Sequence, residues 1–219
     1  MKNKFSIIIS NNPRSYLYLK YLKKNNLIPE DIIYLNKNVK NFIARNLRLK
    51  KFFFPKKKIN IFNTFDINED VYKFLKKKKV KNIIYSGYSG IVIKHNKILN
   101  EKNLIHCHSG KLPKFKGSTT IYYSILQNKK IFCSTLILNQ KIDNGVILFY
   151  KEYPLPKKIT NIDNKYDDEI RAKNLVYALK NIKKLRRKKN PHKKYLPYYV
   201  MHPILRSIVF KKMKKPFRS

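Results

Sequence analysis

Short apolar runs alternate with segments of helical spacing along most of this chain, and that alternation admits few architectures. FSIIIS (5–10) is the kind of near-continuous apolar run that a strand buried on both faces shows, and NNPRSYLYLKYLKKNN after it sets Leu and Tyr at helical intervals. DIIYLN (31–36) and KINIFNT (58–64) read as further strands, while 37–58 is basic and fits no single class. DINEDVYKFLKKKK (66–79) reads as a helix: Asp66 opens it, Glu69 follows three positions on, and four lysines close it, so its charges suit its dipole. Strands are expected at 80–87, 103–110, 131–139 and 145–153, and helices at 117–130 and 166–189, the last with acids first and bases last. The fold class expected is α/β: a Rossmann-like, mostly parallel sheet with helices on both faces and a short C-terminal arm. In such sheets functional groups gather beyond the carboxyl ends of the strands.

With 219 residues, 43% of them hydrophobic, there is material for one domain with its own core (1–189) and a basic, aromatic, proline-punctuated arm (190–219). That arm is expected to pack on the domain or to pair with a second copy as a homodimer; a basic amphipathic surface anchor is a further reading. The formal net charge of +39, from 51 basic and 12 acidic residues, would suit a nucleic acid or an anionic membrane. The lysines are spread along the whole chain, which fits a solvated surface better, so nucleic acid is not the favoured partner. KNIKKLRRKKNPHKK (180–194), the best candidate for such contact, has no aromatic interleaved. Cys107 and Cys133 are too few for a disulfide framework or a structural zinc site and read as buried thiols. The five-residue apolar run in MKNKFSIIIS reads as a strand rather than a signal peptide, no stretch reaches the length of a transmembrane segment, and a cytoplasmic protein is expected.

Two histidines one residue apart, in LIHCHSGKLP (104–113), and an aspartate before Asn-Gly, in KIDNGVILF (141–149), carry the chemistry. Singly, each has a bland reading: a half-buried strand histidine, and turn chemistry. Together they say more. Positions i and i+2 of a strand share a face, so His106 and His108 project together. Asp143 is the only acid between Glu101 and Glu152, and Gly110, Pro113 and Gly117 shape a rigid loop over the next helix. A metal site would want further ligands at recognisable spacing, and His95, His192 and His202 stand alone, so no metal is expected. Acid–base chemistry asks for less: an imidazole to move a proton, a carboxylate to orient it, and a donor for a developing oxyanion.

The run IHCHSGKLPKFKGSTTIYYSILQNKK, with IDNGVILFYKEYPL after it, resembles the signature of the 10-formyltetrahydrofolate-dependent formyltransferases, which include methionyl-tRNA formyltransferase, glycinamide ribonucleotide transformylase and the sugar N-formyltransferases. The family pattern is Asn-x-His, a loop ending Leu-Pro, a basic residue and Gly opening a helix, then Asp-x-Gly. His108, Leu112-Pro113, Lys116-Gly117 and Asp143 with Gly145 match it, with His108 and Asp143 35 residues apart. The match covers about residues 104–155. The family's asparagine is His106 here, which leaves two outcomes open: an altered but working oxyanion hole, or a much weakened enzyme.

The resemblance implies transfer of a formyl group from 10-formyltetrahydrofolate to a primary amine, with no metal. His106 would donate to the oxyanion, His108 would shuttle protons, and Asp143 would orient His108. The pterin would lie against two loops that map onto Ser89, Gly90, Ile91 and Val92 and onto Ile142 and Gly145, while Arg14, Lys116 and Gly117 are candidates for acceptor binding. The stretch after the last expected helix is too short for the β-barrel of known tRNA formyltransferases, and SNNPRS after the first strand lacks the glycines of a purine-pathway enzyme. The acceptor implied is therefore an amino sugar on a nucleotide or similar carrier. A tRNA formyltransferase, a formyltetrahydrofolate hydrolase using water in place of the amine, and a non-catalytic basic relative that binds nucleic acid remain alternatives.

Overall fold

The computed structural model describes residues 4–36, 59–88, 95–156, 162–191 and 195–214. Seven strands form one sheet in the order β3-β2-β1-β4-β5-β6-β7: β1 (Phe5–Ser10), β2 (Asp31–Leu35), β3 (Asn60–Thr64), β4 (Asn82–Ser86), β5 (Asn103–His108), β6 (Ile131–Ile137) and β7 (Val146–Tyr153). The first five pair in parallel; β6 runs antiparallel to both of its neighbours. The helices are α1 (Pro13–Lys24), α2 (Glu69–Lys76), α3 (Asn96–Glu101), α4 (Thr120–Asn128), α5 (Asp167–Asn181), entered through a π-turn at Ile162–Tyr166, and α6 (Pro203–Lys214).

Central β1 shows why the apolar runs become strands. Its alternate residues serve opposite faces: Ile7 and Ile9 join Tyr18, Leu19 and Leu22 of α1 and Leu175 and Leu179 of α5, while Ile8 joins Val71 and Leu75 of α2 and Ile98 of α3. Helices therefore cover both faces, as expected. Each aliphatic side chain buried this way contributes about 1.5–3 kcal/mol relative to exposure, so the sheet's centre fixes its register.

Helix bounds follow local chemistry. Asn12 caps α1 by accepting from the Ser15 N–H, and Pro13 occupies the first turn, where its missing N–H costs nothing. α2 is shorter than the 66–79 expected because Asp66 stands outside it as a cap, its Oδ1 accepting from the N–H groups of Asn68 and Glu69. α5 stops at Asn181 rather than 189: from Lys180 to Lys189 no residue is buried, so no apolar face keeps the basic run helical. The expectation for 37–58 lies outside the described residues.

The C-terminal arm packs on the domain. Lys188 exchanges backbone hydrogen bonds with Ile147, and Tyr198 bridges to Gly117, donating to the Lys116 carbonyl and accepting from the Ser118 N–H. α6 then lies over α4, with Phe210 edge-on to Tyr122. Gly117 is obligatory in this contact: its φ is +93°, and a Cβ there would sit 2.3 Å from the Tyr198 carbonyl oxygen.

Candidate active site

His106 and His108 sit on the last turns of β5, pointing to the face that carries Leu104 and Tyr85. Asp143 reaches them from an unexpected direction. Because β6 is antiparallel, the loop after it starts beside Leu104, where the Leu138 N–H donates to the Leu104 carbonyl, and folds back along β5. Gly145 makes that return, pressed so closely on β6 that a Cβ would overlap the Ile137 carbonyl oxygen at 1.7 Å. Asp143 itself takes a left-handed φ of +48°, tolerable for Asp. Three bonds hold the turn: Gly117 N–H to Asp143 Oδ2 at 2.9 Å, Asn190 Nδ2 to the Asp143 carbonyl at 2.9 Å, and Lys116 Nζ to Asn144 Oδ1 at 3.1 Å.

The two imidazoles differ sharply. His108 is 3% exposed and faces acceptors on every side. Its Nδ1 is 3.3 Å from Asp143 Oδ2, its Nε2 is 2.6 Å from the Phe115 carbonyl, and the Thr120 hydroxyl, which donates to the Ser109 carbonyl, lies 3.2 Å from the same Nε2. An imidazolium would satisfy both nitrogens at once. His106 is half-buried, with Nδ1 3.2 Å from the Tyr85 carbonyl. A carbonyl can only accept, so Nδ1 carries the proton and the neutral ring presents Nε2 as an acceptor. Burial pushes the His106 pKa down to about 3, the Arg14 and Arg171 guanidiniums adding to the effect against Asp143. This is the reverse of the donor role that the family resemblance implies for its asparagine.

Arg14 donates to the Gly87 carbonyl at 3.1 Å, just past β4, and its buried Nε has no hydrogen-bond partner among the described residues. Lys116 is turned inward, 2% exposed, its pKa lowered by burial against the pull of Asp143, and with Gly117 it braces the Asp143 turn. Ile142 projects to solvent at 53% exposure. Ser89, Gly90, Ile91 and Val92 lie outside the described residues. Among the described residues no cluster of His, Cys, Asp and Glu could hold a metal ion. A cavity of about 310 Å³ opens beside the turn, lined largely by amides: Asn96, Asn100, Asn139, Gln140 and Asn144, with Leu99 and Lys141.

Sequence reasoning missed a second layer. Arg171 of α5 donates to the Cys107 carbonyl, between the two histidines, at 2.8 Å, and grips Asp167 with its Nε and Nη2; Asp167 also accepts from the Ser109 hydroxyl. This ties the end of β5 to the start of α5. In the sequence the acids of DDE are only the acidic start of a helix, and the three-dimensional placement shows what Asp167 holds. Its neighbour Asp168 is held up at about pKa 6 by burial and by Asp167, with Arg171 and Arg14 opposing.

Known structures share the fold: a sugar N-formyltransferase from Shewanella superposes with a TM-score of 0.60 at 18% identity, over 94% of this chain and 85% of that one. A methionyl-tRNA formyltransferase from Clostridium thermocellum gives 0.55 at 15% identity, over 92% and 74%. An N-formyltransferase from Helicobacter canadensis, in complex with folinic acid and dTDP-3-aminofucose, gives 0.55 at 18% identity, over 91% and 72%. In sequence, a methionyl-tRNA formyltransferase from Helicobacter pylori strain 26695 is 29% identical over 139 residues, 61% of this chain and 44% of that protein; its strain P12 counterpart is 33% identical over 91 residues, 41% and 29%. The chain thus spans less than half the length of these curated relatives. No protein-family model matches. In both fold and sequence the chain is similar to the formyltransferase family.

Proposed function

We propose that the protein transfers a formyl group from 10-formyltetrahydrofolate to a primary amine, an amino sugar on a nucleotide or similar carrier, in the cytoplasm. The observation that carries this reading is the His108–Asp143 pair at 3.3 Å beside a neutral His106 on β5. The amide-lined cavity next to Asp143 supports a heteroaromatic donor, whose ring nitrogens and carbonyl would pair with Asn and Gln side chains. The Helicobacter canadensis neighbour, whose complex holds folinic acid and an amino sugar on a nucleotide, supports both substrates.

In this reading His106 Nε2 accepts an N–H of the neutral amine and aims its lone pair at the formyl carbon. The new C–N bond forms, the bond to the folate nitrogen breaks, and the proton lost by the amine ends on that nitrogen. His108 carries it, steadied by Asp143; to do so its Nε2 exchanges the Phe115 carbonyl for substrate. Arg14, whose Nε has no partner among the described residues, faces an anionic part of the acceptor. Homodimerisation through the arm is not needed for any of these steps.

The curated relatives favour one second reading, with the amine on an aminoacyl-tRNA. Incubation with 10-formyltetrahydrofolate and either amino-sugar nucleotides or methionyl-tRNA separates the two by which product carries the formyl group. Formate released without any acceptor would instead assign a hydrolase, and no consumption of donor would refute formyl chemistry.

A further inference from the structure

Ten large hydrophobic side chains are exposed among the described residues, and six of them fall within thirteen positions of the arm: Leu196, Tyr199, Val200, Ile204, Leu205 and Ile208. Tyr199 is 88% exposed and Ile204 65%. Single exposed apolar residues need no explanation, but such a concentration marks a surface that something covers. α6 is two-sided. Val209, Phe210 and Met213 face the domain, with Arg206 laid over the Tyr122 ring at 4.7 Å. Ile204, Leu205 and Ile208 face outward, followed by exposed Lys211 and Lys212.

Charge identifies the partner. After Glu169 the sequence contains no acid and 17 lysines and arginines. A two-fold dimer through this face would set like charges against each other. A nucleic acid would answer the charge but leave three outward aliphatic side chains in contact with phosphate and water. An anionic lipid surface answers both, taking the aliphatic side chains at the acyl boundary and the lysines at the headgroups.

We propose that the arm docks the protein on an anionic bilayer surface through Leu196, Tyr199, Val200 and the outer face of α6. This is peripheral contact: no helix among the described residues is long and apolar enough to cross a membrane. The docking face adjoins the candidate site, because Tyr198 and Tyr199 pair with the Lys116–Thr119 loop that braces Asp143. The inference goes beyond formyl transfer and stands without it.

Co-sedimentation with vesicles of phosphatidylcholine, alone or mixed with phosphatidylglycerol, tests it on the full chain. The protein should pellet with the anionic vesicles, weakly with neutral ones. Ile204→Ser/Leu205→Ser/Ile208→Ser should lower anionic partitioning at least about tenfold, and Lys211→Gln/Lys212→Gln should reduce its preference for phosphatidylglycerol. Should the triple variant misfold by thermal unfolding, Val200→Ser, in the extended part of the arm, should weaken partitioning by a smaller factor. Unchanged partitioning in the apolar variants would overturn the proposal. So would a wild-type dimer in sedimentation velocity that the triple substitution dissolves, or binding of a tRNA-sized RNA that the same substitution abolishes.

Discussion

The surroundings of His106 and His108 are the most instructive contrast in the molecule. The two side chains leave the same strand face two residues apart, yet among the described residues one ring bonds to a carbonyl within the field of two guanidiniums, and the other meets a carboxylate, a carbonyl and a hydroxyl. The first environment favours a neutral ring whose Nε2 has no hydrogen-bond partner among the described residues; the second sets oxygen atoms against both ring nitrogens. One β-strand thereby offers two imidazoles with opposite hydrogen-bonding character, which is what a reaction that removes a proton from one nitrogen and delivers it to another requires.

Breaking the His108 side should have the largest effect. His108→Ala or Asp143→Asn should lower turnover by about 10²–10⁴-fold, measured as formylated product, while binding of 5-formyltetrahydrofolate by calorimetry survives; full turnover in both variants would remove the assignment. Next comes the tie between the two environments. Arg171→Ala strips the Cys107 carbonyl of its donor and leaves Asp167 without its cation, and should cost about 3–5 kcal/mol in urea unfolding. A loss below about 1 kcal/mol would show that β5 is held by its sheet neighbours alone. Gly117→Ala should cost about 2 kcal/mol, the order of left-handed strain with overpacking, and should release the arm, seen as faster amide exchange at Tyr198.

The smallest expected effect concerns Asp168. Its folded pKa is raised from 3.8 to about 6, so the folded state holds its proton more tightly than the unfolded chain does. Stability from this group is complete below about pH 4 and is lost as pH rises through 6. Asp168→Asn should therefore stabilise the protein at pH 7.5 by about 1 kcal/mol, after discounting for solvent screening, and by nothing at pH 4; equal gains at both values would show that the effect is not ionisation.

Much of this was legible in the sequence because the signals are local. The apolar runs at 5–10, 31–36, 80–87 and 103–110 become parallel strands, since strands buried on both faces leave a continuous hydrophobic record. The His-x-His spacing and the Asp-Asn-Gly turn could be read as one site for a similar reason: each is a short motif, and the family resemblance joined them. What stayed hidden depends on three-dimensional placement. Nothing in IFCSTLILN says that β6 runs antiparallel, so the route by which Asp143 reaches His108 could not be foreseen. α3 buries only Ile98, too little periodicity to announce a helix, and α6 hides behind prolines in a segment that reads as an extended arm. The Arg171 clamp joins residues 64 apart through a backbone carbonyl, which no side-chain pattern encodes. The tautomer of His106 likewise follows from where the Tyr85 carbonyl points.

That tautomer is the sharpest test of the account. Two-bond nitrogen–proton correlation spectra of ¹⁵N-histidine-labelled protein, with His106→Asn for assignment, should show His106 neutral between pH 5 and 8, with its proton on Nδ1 and a bare Nε2. An imidazolium in that range, or a proton on Nε2, would contradict the division of roles between the two histidines and return His106 to the part of oxyanion donor.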